Sequence, residues 1–261
     1  MEAKMAEFSV HMEELIASKY SGNVTPFLSQ YSFWLIISLI VCICVVVYAA
    51  KHVHLIPQGF WSGGVEHLIS WFRQDVGFNV IGPDADRHMP FLLTILFFIL
   101  TANLIGLIPG AQAATGCTGV TVAIATFSFC YFIGCGIKEH GVLGYIVSLA
   151  PTGIVLPLRI FIWCIEVFST FLRLVTLAVR LFGNMFAGHL AMGAFAILTS
   201  VFFMPVIQDF TLAAVAGALP SLLWIVFLVA MYCMEMLVAC LQAYVFSLLT
   251  AVYISLAIEG E

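Results

Sequence analysis

Charge is what this chain has least of. Asp, Glu, Lys and Arg make up 9% of its 261 residues, where soluble domains carry about 25%. Hydrophobic residues reach 63%. A soluble fold of this length needs far more charge to cover its surface, so most of the exterior must face a medium as apolar as the interior. The lipid bilayer is that medium. The net charge of −5 comes without any basic block, which excludes nucleic acid as a partner.

Other absences narrow the chemistry. The eight cysteines include no C-x-x-C and no C-x-x-C-H, and Cys42, Cys44, Cys130, Cys164, Cys233 and Cys240 lie inside apolar runs. They read as small hydrophobes packed between helices, not as a disulfide framework, haem attachment or redox centre. No Walker loop, nucleotide fingerprint or metal-ligand cluster occurs, so neither cofactor nor metal is expected and the chain has no evident energy source. The first 30 residues are polar and mildly acidic and lack the basic start and short apolar core of a signal peptide.

What is present is helical and apolar. Residues 31–50 hold no charge and match the ~30 Å hydrocarbon core, which predicts a first span. Residues 58–78 mix apolar and charged side chains at helical spacing and predict an amphipathic helix at the membrane surface, with Trp61 and Trp71 at headgroup depth. A short acidic loop with Asp84, Asp86 and Arg87 is expected next, then spans at 89–109 and 118–137, the last ended by Lys138, Glu139 and His140. Lys51, Arg73, Arg87 and Lys138 fall on one side, and the 110–117 loop on the other side has no basic residue. The positive-inside rule then puts the amino terminus outside, residues 51–88 and 138–157 in the cytoplasm, and the carboxyl terminus in the cytoplasm too.

The last third is different. Residues 158–204 contain no proline and no cluster of turn-formers. A continuous helix of that length is ~70 Å long, so it must either break near Val175–Val179 or lie steeply tilted. Val175 to Val179 contains no turn residue, which favours the tilt. Residues 220–258 repeat the pattern. The expected fold is an all-α integral membrane protein with about five embedded helices and one interfacial helix. Its last two helices form a long slanting hairpin, and residues 31–261 make one membrane domain.

An ionisable group at mid-bilayer costs ~2.5–3.5 kcal/mol on insertion scales, so each one is a functional hypothesis. Arg159, Glu166, Arg173 and Arg180 recur at intervals of seven and form a slowly drifting stripe. Arg159 and Glu166 suit a row of structural ion pairs near a helix end. Arg180 does not, because the 28 residues after it contain no Asp, Glu, Lys or Arg. Asn184 sits one turn beyond Arg180 on nearly the same face, and His189 lies about 180° away from Arg180. The second long run holds a single deep acid, Glu235, with Gln242 on the same face seven residues on. A histidine and a carboxylate on facing helices can bind and release protons near neutral pH, whereas arginine stays protonated and can only gate or pair. The anion that Arg180 needs is absent from the chain and is expected on a partner. A haem subunit would need two deep histidines where only His189 qualifies. A secondary transporter would show inverted repeats with short broken helices, and none is found.

The run Arg180-Leu181-Phe182-Gly183-Asn184-Met185-Phe186-Ala187-Gly188-His189 resembles the signature of subunit a of the F-type ATP synthase, bacterial type. The likeness extends to Leu241-Gln242-Ala243-Tyr244-Val245-Phe246, to Leu249–Tyr253 and to the Asn103–Gly110 segment. It implies a non-catalytic stator that carries protons to and from a rotating c-ring through two offset half-channels. It further implies b subunits as neighbours, the catalytic head as an indirect partner, and the bacterial inner membrane as the location, with the mitochondrial inner membrane as the alternative. By that resemblance Arg180 is the gate, and His189, Glu235, Asn184, Gln242 and Glu166 belong to the proton path. Many bacterial members carry the acid on the first helix and the histidine on the second; here the two are exchanged, as in the mitochondrial pattern. Leu174 replaces a frequent proline, and Arg173 stands where lysine or arginine is usual.

Overall fold

In hydrocarbon every backbone N–H and C=O must find its partner within the chain, and an uncharged apolar segment does so by coiling into a helix. The computed structural model describes residues 30–51, 60–108, 111, 113–148, 156–208 and 212–259, and among them there is no strand. Six α-helices run in order: α1 (Gln30–Lys51), α2 (Phe60–Phe72), α3 (Ala85–Gly106), α4 (Thr118–Ser148), α5 (Leu156–Gln208) and α6 (Leu212–Glu259). Five stretches are long and apolar enough to cross a bilayer: Tyr31–Tyr48, Gly63–Gly106, Thr118–Val142, Leu158–Met204 and Pro220–Ile258. The expected polar segment 1–30 and Trp61's headgroup placement lie outside the described residues or side chains.

Between α2 and α3 the acidic loop expected from the sequence does not form. Arg73–Ile81 continues α2 as a π-helix, and Gly82–Asp84 adds one 3₁₀ turn that leads directly into α3. Three contacts account for it. Arg73 donates Nε and Nη2 to the Asp86 carboxylate, both at 2.9 Å, clamping the two sides of the turn. Gly77 has no side chain, so the Met89 sulfur packs 3.0 Å from where its Cβ would stand. Gly82 takes φ 82°, a left-handed conformation that glycine adopts without steric cost. Phe72 and Val76 are fully buried by this arrangement, and Tyr244 of α6 donates its hydroxyl to Asp75 at 2.8 Å. The amphipathic segment therefore docks along α6 through its apolar and acidic positions together.

α4 also outruns its expected end at 138–140. It turns at Gly141 (φ 72°, ψ 164°) and continues to Ser148. His140 Nε2 lies 2.9 Å from the Ile258 carbonyl, tying the bend to the last turn of α6.

α5 and α6, 53 and 48 residues long, share the most extensive helix pairing in the molecule. At 1.5 Å per residue they are about 80 and 72 Å long, so neither can stand upright in a ~30 Å core. α5 runs through Val175–Val179 without a break. The pair is antiparallel: Phe195 meets Trp224 and Phe227, Gly188 meets Glu235, and Arg173 lies over Tyr253. Small residues at the contact, among them Ala178, Gly188, Ala239 and Ala243, let the backbones approach closely where hydrocarbon gives no hydrophobic drive. The opposite faces carry Phe161, Phe168, Val179, Val226, Val229 and Leu241, all exposed.

Candidate functional site

The antiparallel register of α5 and α6 sets the level of each charged or polar group. Glu235 is 4% exposed, and its carboxylate fills the notch left by Gly188; a Cβ on residue 188 would overlap it. His189, the next residue on α5, lines a cavity of about 190 Å³ together with Tyr31, Ala113, Cys117, Thr118 and Phe186. The histidine and the acid thus share one level of the hairpin, and the cavity opens beside the start of α1 and the segment before α4.

Asn184 Nδ2, Glu235 Oε1 and Gln242 Nε2 are all buried without a hydrogen-bond partner among the described residues. An orphaned buried polar atom costs about 1–3 kcal/mol, and buried polar sites of this kind are normally satisfied by water. The interior of the hairpin is therefore chemically suited to hold water along Asn184, Glu235 and Gln242. Such water chains conduct protons.

Arg180 is placed otherwise. It is exposed, on the outer face of the hairpin beside Val179, and forms no ion pair among the described residues. By register it stands level with Gln242 of α6. A guanidinium held out on an apolar face has no compensating anion within the described chain, and the membrane makes that expensive.

Glu166 stands apart from the others. Its carboxylate takes Arg173 Nη2 at 2.9 Å, both side chains are 23% exposed, and the Arg173 guanidinium also lies over the Tyr253 ring at 5.3 Å. Of the seven-residue stripe, these two members form an ion pair. Along α5, Glu166 lies fourteen residues before Arg180, about 21 Å, while Gly188 at the Glu235 level lies eight residues after it, about 12 Å. Arg180 accordingly sits between two sets of ionisable groups at different levels. Among the described residues no three His, Cys, Asp or Glu side chains group as metal ligands.

Sequence reasoning passed over two supports of the site. Asn103 is fully buried; its amide accepts the Thr115 hydroxyl at 2.8 Å and donates to the Ala239 carbonyl at 3.5 Å. This fixes the segment before α4 against α6, one turn from Glu235. Gly106 completes the fit, since a Cβ there would meet the backbone of Ala113 at 2.7 Å. The sequence signals were a lone amide in an apolar run and the likeness of the Asn103–Gly110 segment, neither of which names the partners. The second is the Asp75–Tyr244 hydrogen bond, whose partners are 169 residues apart in the chain.

Comparison with known proteins gives the family. The model of the ATP synthase A chain family matches residues 31–255. ATP synthase subunit a of Chlorobium phaeobacteroides is 34% identical over 234 residues, covering 88% of this chain and 64% of the relative. That of Chloroherpeton thalassium is 40% identical over 209 residues, covering 78% and 57%. That of Hyphomonas neptunium is 33% identical over 240 residues, covering 92% and 90%. The chain thus spans 64% and 57% of the length of the first two relatives. With five membrane-length helices, a long closing hairpin and a family match across nearly its whole length, the chain belongs to the ATP synthase A chain family.

Proposed function

We propose that the chain is the proton-carrying stator subunit of the ATP synthase membrane sector. It performs no catalysis itself and works against a c-ring, with b subunits holding it and the catalytic head coupled at a distance. The observation that carries this reading is Arg180, exposed and without an ion pair among the described residues, standing between ionisable groups at two levels of one hairpin.

In this reading the carboxylates of the c-ring supply the anion that Arg180 faces. A proton reaches the hairpin from the cavity beside His189 and passes by way of Glu235 to a ring carboxylate. Imidazole suits that step because its ordinary pKa of about 6.5 allows exchange near neutral pH. Water held by Asn184 and Gln242 bridges the remaining distance. The neutralised ring site then leaves Arg180 through lipid, and after nearly a full turn it releases its proton on the other side, near Glu166. Arg180 never gives up its own proton, so it blocks a direct leak between the two levels. Each proton crossing the membrane yields ~2.3 kcal/mol per 100 mV, and the two offset paths oblige that energy to appear as rotation. The protein sits in a bacterial inner membrane, amino terminus outside and carboxyl terminus in the cytoplasm.

Arg180→Ala in the whole complex, reconstituted into vesicles, tests this reading. ATP-driven proton pumping is expected to vanish with the complex still assembled. Unimpaired pumping overturns the reading.

A further inference from the structure

Away from the hairpin, α3 and α4 enclose a groove that the proton path does not use. Arg87, Phe91, Thr94 and Phe98 recur at spacings of four, three and four and share one face of α3. Phe127, Tyr131, Gly134 and Lys138 repeat the same spacing on α4. The two faces meet. At one end they enclose a cavity of about 300 Å³ lined by Arg87, His88, Tyr131, Gly134, Lys138 and Glu139. Towards the other end, closed off by α1, lies an apolar groove of about 770 Å³ lined by side chains such as Leu39, Val46, Phe98, Ile124 and Phe127. The Phe91 and Tyr131 rings stack between the two at 3.6 Å and 12°.

The basic end is open to a ligand. Arg87 lies 3.6 Å from Glu139, a loose pair with no hydrogen bond, and its side chain is 52% exposed. Lys138 forms no ion pair among the described residues, and His88 is 5% exposed with Nδ1 3.0 Å from the Tyr131 hydroxyl. Two permanent cations and an imidazole surround the cavity against Glu139 on its wall, with Asp84 near enough to act on His88. Gly134, exposed at the cavity, leaves its side of it open, since a Cβ there would meet nothing within 4 Å. From Arg87 to Phe98 is eleven residues, about 16 Å along α3, and on α4 the lining runs on from Lys138 to Gly119, about 28 Å.

We propose that this groove is a binding site for one anionic phospholipid, with its phosphate at Arg87 and Lys138 and its acyl chains in the apolar groove. Basic pockets between membrane helices bind acidic headgroups. A free phosphate needs no apolar extension, and an apolar spanning helix of a partner gives Arg87 and Lys138 no anion. The order along the groove, cations first and then hydrocarbon, is that of a lipid molecule.

Photolabelling tests the site in the whole complex held in phosphatidylcholine nanodiscs. The probe is phosphatidic acid carrying a diazirine at the end of an acyl chain, compared with the same chain on phosphatidylcholine. The phosphatidic acid probe should label residues 91–98 and 119–127 in preference, and added inorganic phosphate should leave that labelling unchanged. Arg87→Gln with Lys138→Gln should lower the apparent affinity about thirty-fold, the equivalent of about 1 kcal/mol per cation. Arg87→Lys with Lys138→Arg should retain it. Gly134→Leu keeps every charge and fills the cavity, and should abolish labelling even if the double neutralisation fails to assemble. Equal labelling by both probes that ignores these substitutions marks ordinary boundary lipid and overturns the proposal. Displacement by inorganic phosphate without acyl adducts, or capture of another subunit by a photoreactive residue at Phe127, overturns it as well.

Discussion

The two halves of the molecule treat polar side chains in opposite ways. In the α2–α4 half nearly every deep or rim polar group has its partner inside the chain: Arg73 with Asp86, Arg87 with Glu139, His88 with Tyr131, and Asn103 with Thr115. In the α5–α6 hairpin, Asn184, Glu235 and Gln242 keep buried atoms without a partner among the described residues, and Arg180 stands outside with no ion pair. Glu166 with Arg173 is the hairpin's exception, and Ser128 and Lys138 are those of the first half among the described residues. Self-sufficient polar groups hold a structure together. Groups left wanting are available to water, protons or another subunit, and removing them should disturb transport more than assembly.

The largest break in that contrast comes from Arg180→Ala. Removing a fixed charge at the proposed point of transfer is expected to lower proton pumping by at least about a hundred-fold, with subunit composition unchanged. Next comes the acid and histidine pair. His189→Ala and Glu235→Ala should each slow pumping about a hundred-fold, the scale of losing one positioned proton-transfer group. The exchange of His189→Glu with Glu235→His should recover part of the rate, because one imidazole and one carboxyl remain at the same level. A double exchange no faster than either of its single members counts against a shared path.

Gly188 gives a finer test. Gly188→Ala pushes a methyl into the Glu235 carboxylate, which can retreat only by moving its flexible end. Pumping should fall about ten-fold, ~1.4 kcal/mol in the barrier, while the helices stay paired. Shortening the acid with Glu235→Asp should relieve the overlap, so the double variant should pump faster than Gly188→Ala alone. If both behave alike in a pumping assay, the position of the carboxylate is not what limits the proton.

How much of this was legible in the sequence depends on the physics behind each feature. Hydrocarbon imposes helices on apolar runs and penalises buried charge, so the long spans, Arg180 and Glu235 stand out from one sequence. The unbroken α5 was legible because Val175–Val179 holds no turn residue. Pairings between distant segments leave no periodic trace. The Asp75–Tyr244 bond, the Asn103–Thr115 bond and the docking of the Arg73–Ile81 segment on α6 all depend on which helix faces which. The Arg73–Ile81 π-helix was hidden for the same reason. Its acidic neighbours Asp84 and Asp86 looked like a loop, and only the Arg73 clamp and the close Gly77–Met89 contact make them helical. Glu166 was legible as a member of a row of structural ion pairs, and it pairs with Arg173 one heptad on.

The smallest expected effect is the control for the whole comparison. Arg73 and Asp86 make two good hydrogen bonds, yet their side chains are 51% and 59% exposed. Exposed ion pairs contribute about 0.2–1 kcal/mol, because water solvates both partners once they separate. Arg73→Gln with Asp86→Asn removes both charges without burying an unpaired one, and the amides can still bond across the turn. Pumping should stay within about two-fold of the unaltered complex. The loss should appear only as slightly faster release of subunits on heating, and more so at low salt, where the native pair is least screened. A large fall in pumping from this pair would place a transport role in the half whose polar groups are satisfied, and the division between the two halves would fail.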